Sequence, residues 1–126
     1  MNIHESAEDY LERVLMIRQR KGVVYSIDIV HELNFSKPSV SVAMKRLREN
    51  GYIQMDADGA ITLLPPGEEI AQRIYARHQL LSEFLTQLGV SPETAAADAC
   101  KIEHDISEDS YERIKEVTLQ KRTGLG

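Results

Sequence analysis

The stretch KPSVSVAMKRLRENGYIQMDADGAITL, residues 37–63, changes period partway through. Up to Arg48 the apolar residues Val40, Met44 and Leu47 recur every three or four positions, the spacing of one helix face. From Ile53 they alternate, Ile53 and Met55 on one arm and Ile61 and Leu63 on the other. Asp58-Gly59 between the arms is a strong hairpin turn signal. Helical spacing governs the preceding residues too. SAEDYLERVLMIRQRKG carries Leu11, Val14, Leu15 and Ile17, with Ser6 placed to cap and Gly22 to end the helix. YSIDIVHELNF reads as a shorter helix with Ser26 at its N-cap and Ile27, Ile29, Val30 and Leu33 as apolar positions, and NFS supplies a turn. Pro38 is tolerated in the first turn of the next helix, and Gly51 follows its end. Three helices, the second and third joined by a short turn and followed by a β-hairpin, predict a winged helix-turn-helix over residues 1–64.

Residues 65–126 read as helix throughout, which makes the chain mainly α. PPG at 65–67 is expected to break the chain, after which EEIAQRIYARHQLLSEFLTQLG lines up Ile70, Ile74, Leu81, Phe84, Leu85 and Leu88 until Gly89. Ser91 and Pro92 fit the N-cap and first turn of a helix bearing Cys100, Glu103 and His104. Ser107 is placed to cap a last helix whose Tyr111, Ile114, Val117 and Leu119 are expected to face inward. So small a helical region does not easily bury a long apolar stripe alone, and a homodimer interface would cover it.

Composition narrows the function. With 126 residues and 42% hydrophobic content the chain can build a core, and one cysteine excludes an intramolecular disulfide. No window holds eighteen consecutive apolar residues, and MNIHESAEDY lacks the basic-then-apolar pattern of a signal peptide, so a cytoplasmic protein with no membrane partner is expected. The net charge of −5 argues weakly against nucleic acid, but its distribution argues the other way. Arg13 to Arg48 holds eight Lys or Arg against the two acids Asp28 and Glu32, whereas from Pro65 onward eleven acids face seven bases.

A helix that reads DNA needs small polar residues at base edges and basic residues at phosphates. Ser36, Lys37, Pro38, Ser39 and Ser41 gather at the N-terminal end of the third helix, where backbone N–H groups also favour phosphate, and Lys45 and Arg46 follow. The plain alternative is a solvated amphipathic helix. The hairpin, the serines and the lack of any acid from Ser36 to Arg48 favour double-stranded DNA.

On a helix, positions i, i+3 and i+4 share a face, so Cys100, Glu103 and His104 are expected to project together; thiolate, carboxylate and imidazole all ligate first-row transition metals. Asp9 and Glu12 repeat the three-residue spacing beside the stripe of the first helix, and His78 interrupts the stripe of the long helix, where an unpaired imidazole would be costly. Each has an ordinary explanation: a buried thiol, a satisfied core histidine, acids near a helix N-terminus. Six ligand-type residues on three helices are harder to attribute to coincidence. His4 and His31 lack such company and read as surface residues.

SAEDYLERV, SKPSVSVAMKRLRENGYI, ARHQLLSEFL and ACKIEHDIS, in this order and spacing, resemble the DtxR/MntR family of metal-dependent transcriptional repressors, also called iron-dependent repressors. The resemblance covers nearly the whole chain. It implies a winged helix-turn-helix followed by an all-helical metal-binding and dimerisation domain, with Asp9, Glu12, His78, Cys100, Glu103 and His104 as ligands for Fe(II) or Mn(II). Asp9 is the residue of the manganese branch and Cys100 that of the iron branch, so the chain combines the two. The places of an iron-type ancillary site hold Ser82 and Ala96, which cannot ligate. The resemblance also implies the short two-domain type, without an SH3-like third domain.

The function expected from this is that of a metal-dependent repressor controlling iron or manganese homeostasis, a homodimer bound to a palindromic operator. Two other classes stay open at this stage. One is a winged-helix regulator that ignores metal. The other is a metal-dependent enzyme, which the lack of an additional base or a Gly-rich loop disfavours.

Overall fold

A computed structural model describes residues 5–122. Among them the elements follow in the order α1 (Glu5–Lys21), α2 (Ser26–Leu33), α3 (Lys37–Glu49), β1 (Ile53–Met55), β2 (Ile61–Leu63), α4 (Pro65–Gln87), α5 (Pro92–Ile102) and α6 (Glu108–Arg122). This is the expected mainly α chain, a winged helix-turn-helix and then helices alone. The chain divides into two compact units, one ending at Arg73 and the other beginning at Ile74. His4 and the rest of the first four residues of the stretch read for a signal peptide lie outside the described residues.

In the first unit, Leu11, Val14, Leu15 and Ile17 of α1, Ile29 of α2, and Val40, Met44 and Leu47 of α3 are buried, as their periodicity predicts. Strands β1 and β2 pair antiparallel with Ile53 opposite Leu63 and Met55 opposite Ile61. Gly59 takes φ +92°, a backbone that glycine adopts without a Cβ penalty, and the Asp56 N–H bonds to the Ala60 carbonyl across the turn. Val24 adds a bridge to Ile61 that alternation in the hairpin alone did not reveal. The α2–α3 turn is made by Asn34 in the left-handed region at φ 55°, which asparagine tolerates.

Several local expectations are corrected. Helix α1 is already formed at Glu5, so Ser6 lies inside it and does not cap. Tyr25, not Ser26, is the N-cap of α2, because the Asp28 carboxylate reaches back 2.9 Å to accept from the Tyr25 N–H. Ile27 is 41% exposed, being off the face that carries Ile29. Residues 65–67 do not break the chain but form the first turn of α4, where proline's fixed φ suits a helix and its missing N–H is not needed. Gly67 is dictated by packing: a Cβ there would lie 2.1 Å from the Tyr52 carbonyl oxygen. Arg18 donates to both carboxylate oxygens of Glu68 at 2.6 and 2.9 Å, and Arg73 pairs with Glu8, so the first turns of α4 belong with α1 and the hairpin.

In the second unit Ile74, Leu80 and Leu81 of α4, Ala95 and Ala99 of α5, and Tyr111 and Thr118 of α6 are buried. Ser91 accepts from the Thr94 N–H to cap α5, and Ser107 accepts from the Ser110 N–H ahead of α6. Ile70, Phe84 and Leu85 are only half-buried, and Leu88 is 58% exposed. Val117 and Leu119 do not face inward as expected. The buried stripe of α6 runs through Tyr111 and Thr118, two turns apart, with the Thr118 hydroxyl donating to the Ile114 carbonyl.

Candidate metal centre and DNA-reading helix

Helix α5 ends at Ile102, one residue before the pair it was expected to carry. Glu103 is its C-cap, still in helical φ and ψ, and His104 stands in the turn that follows. The thiol and His104 are each brought near Glu103, on different sides of it, and not into one group of three. Glu103 is fully buried; its Oε2 lies 3.0 Å from His78 Nδ1 on α4, and its Oε1 lies 3.4 Å from His104 Nε2. Cys100 Sγ lies 3.6 Å from the same His78 nitrogen. His78, Cys100 and Glu103 thus each offer one donor atom within 4.8 Å of the others.

This donor set fits a divalent metal. With metal–ligand bonds of about 2.0–2.3 Å, neighbouring donors on one ion sit about 3–3.7 Å apart, and the distances from His78 Nδ1 to Glu103 and to Cys100, 3.0 and 3.6 Å, fall in that range. Sulfur, imidazole nitrogen and carboxylate oxygen together suit first-row transition metals better than Ca(II) or Mg(II), which prefer oxygen alone.

The backbone beneath these candidate ligands is held by Arg77, which no ligand-type pattern in the sequence singles out. It is buried at 7% exposure, and its Nη1 donates to the Glu103 and Ile106 carbonyls at 3.1 and 3.0 Å. Its Nη2 pairs with Glu108 at 2.7 Å, and the guanidinium lies 4.9 Å above the Tyr111 ring. Burial lifts the Tyr111 phenol above its ordinary value, and the cation beside it draws it partly back. Carbonyls just past a helix end have no ladder partner; here the residue adjacent to His78 satisfies two of them, tying the turn that bears Glu103 and His104 to the helix that bears His78. The available signal was an arginine inside an apolar stripe.

Asp9 and Glu12 lie one turn apart on α1 in the first unit, Asp9 half-buried and Glu12 only 2% exposed. A carboxylate so withdrawn from water carries a desolvation cost that a cation or donors must offset. His31 is exposed.

On α3, Ser36, Lys37, Pro38, Ser39, Ser41, Lys45 and Arg46 are all exposed, while Val40, Met44 and Leu47 form the buried side. Two of the serines are already engaged. Ser36 is the N-cap, its oxygen accepting from the Ser39 N–H at 3.2 Å, and the two hydroxyls bond to each other at 2.8 Å.

A winged helix-turn-helix in one chain with a helical unit that gathers imidazole, thiol and carboxylate donors is the build of a metal-responsive DNA-binding regulator. The model of the iron dependent repressor N-terminal DNA binding domain matches residues 2–61, and that of the iron dependent repressor metal binding and dimerisation domain matches residues 65–121. The chain is 36% identical to the transcriptional regulator MntR of Salmonella typhimurium over 119 residues, 94% of this chain and 76% of that protein. It is 33% identical to the HTH-type transcriptional regulator MntR of Lysinibacillus sphaericus over 112 residues, 89% of this chain and 81% of that one. Among solved structures, T. acidophilum IdeR superposes with a TM-score of 0.78 at 26% identity, covering 98% of this chain and 55% of its own. A manganese-dependent transcriptional repressor in complex with manganese gives 0.79 at 25% identity, covering 95% and 53%. The chain spans about half the length of these two solved proteins. It belongs to the iron-dependent repressor family of metal-dependent transcriptional regulators. Among the described residues no helix is long and apolar enough to cross a membrane.

Proposed function

We propose that this chain is a homodimeric repressor of iron or manganese homeostasis genes, working in the cytoplasm, that holds a palindromic DNA operator when Fe(II) or Mn(II) is bound. The observation that carries the reading is the grouping of half-buried His78 and Cys100 with fully buried Glu103, and of His104 against Glu103. His78, Cys100, Glu103 and His104 of the second unit, joined by Asp9 and Glu12 of the first, would hold the ion. Bound there, the ion supplies a positive charge and a preferred coordination geometry. Asp9 and Glu12 then commit the DNA-reading unit to one placement relative to the dimerising unit, and α3 of each protomer meets half-sites about one helical turn apart, or a multiple of that. Lys37, Lys45 and Arg46 meet phosphates, while Pro38, Ser41 and the capped end made by Ser36 and Ser39 approach base edges. No residue is assigned a catalytic role.

A second reading, a winged-helix regulator indifferent to metal, is favoured by one fact: the Glu103 carboxylate already has an imidazole beside each oxygen, so an ion is not the one group available to offset its burial. Anaerobic measurement of affinity for a duplex selected from random DNA, at fixed salt, separates the two. Coupling through the site predicts about 5- to 150-fold tighter binding with Fe(II) or Mn(II); equal affinity with and without metal would leave only the second reading.

A further inference from the structure

The outermost part of α3 is apolar. Its buried residues Val40, Met44 and Leu47 mark the direction of the core, and at 100° per residue Val42 projects about 15° from the opposite direction, with Pro38 one turn before it. Val42 is 52% exposed, more than any other large apolar side chain among the described residues of the first unit, and with Pro38, Ala43 and Arg46 it lines an open concavity of about 440 Å³. A lone exposed valine on an ordinary helix asks for no explanation. This one stands at the centre of the face flanked by Ser41, Lys45 and Arg46, and the two serines nearest the helix start spend their hydroxyls on each other and on the cap. Hydrogen-bonding readout along that line is therefore reduced. A β-branched side chain contributes no helix propensity to offset its exposure.

In the major groove the thymine C5-methyl is the one apolar feature among donors and acceptors. Resting on the DNA-binding reading above, we infer that Val42 is a specificity-determining residue that selects thymine by contact with its 5-methyl group, so that operator choice by this chain is partly apolar. Arg46, one turn further along the same edge of the helix, sets the register by phosphate or guanine contact.

The test uses the full chain loaded with Mn(II) and a duplex selected by it from random DNA. Each thymine in the half-sites is replaced in turn by deoxyuridine, which lacks only the methyl group, and affinity is measured at fixed salt for the parent and for Val42→Ala. The inference predicts one thymine per half-site whose replacement weakens parent binding about fourfold, the value of burying one methyl-sized group. In Val42→Ala the same replacement changes affinity by less than about twofold, as a lost pairwise contact requires. Thermal unfolding of the variant stays at or slightly above the parent value, since the residue is exposed and alanine is the better helix former. A penalty of the same size in Val42→Ala, or no thymine sensitive to the replacement, would overturn the inference while leaving the metal-gated repressor standing. Failure of the loaded protein to select any duplex would overturn both.

Discussion

Replacing Arg77 by Met keeps much of the apolar stem and removes the guanidinium, and with it the donors to two backbone carbonyls of the ligand-bearing turn. Each buried carbonyl left without a donor costs about 1–3 kcal/mol. The pair with Glu108 adds little, because that carboxylate is 69% exposed, and such pairs contribute at most about 1 kcal/mol. The Tyr111 contact is worth about 0.5–1 kcal/mol. Relief of the buried cation's own desolvation offsets part of this sum. The expected net loss is about 3 kcal/mol, or a fall of roughly 10 °C in the unfolding midpoint for a chain of this size. Because the released turn carries Glu103 and His104, metal affinity should fall about 10- to 100-fold as well, the usual effect of losing an outer support of a metal site. Arg77→Lys retains the charge but not the planar fork, so it should recover less than half of either loss. Urea unfolding without metal and calorimetric titration with Mn(II) read the two effects separately. A value for Arg77→Met within about 1 kcal/mol of the parent, the ordinary range of an uneventful substitution, would show that the two carbonyls do not depend on this residue.

Glu68 titrates below its ordinary value of 4.5, held down by its hydrogen bond to Arg18 and then by Gln72. Its folded form therefore contributes stability above the ordinary glutamate range and loses it as pH falls through its lowered value; Glu68→Gln should flatten the acid limb of stability against pH by no more than about 1 kcal/mol, since both partners are about one-third exposed. Gly67→Ala puts a methyl 2.1 Å from the Tyr52 carbonyl oxygen and should destabilise by about 1–3 kcal/mol through forced backbone shifts. A parent-like unfolding midpoint would show that the first turn of α4 moves freely. Cys100→Glu exchanges a soft ligand for a hard one and should raise Mn(II) affinity relative to Fe(II); an unchanged ratio in anaerobic competition titration would remove Cys100 from the ligand set.

Much of this was legible in the sequence because it depends on local rules. Leu11, Val14, Leu15 and Ile17, or Val40, Met44 and Leu47, announce their helices by spacing, and Ser91-Pro92 and Ser107 announce where two others begin. What was missed depends on tertiary partners. Residues 65–67 look like a breaker until the approach of Tyr52 explains the glycine and the N-terminal tolerance of α4 explains the prolines. Val117 and Leu119 look like core until Thr118 takes the buried position. The metal-ligand types could be picked out, and the resemblance named the set, yet the expectation that one helical face would carry Cys100, Glu103 and His104 was too simple. The helix stops at Ile102, and a buried arginine that no ligand pattern includes holds the turn in which His104 stands.

The central claim is that one equilibrium joins metal and DNA, and reciprocity tests it most directly. Mn(II) affinity is measured anaerobically by calorimetry on the free protein and on the protein saturated with the selected duplex, at one salt concentration. The account predicts that DNA tightens Mn(II) binding by the same factor by which Mn(II) tightens DNA binding. Identical Mn(II) affinity in the two states would contradict it.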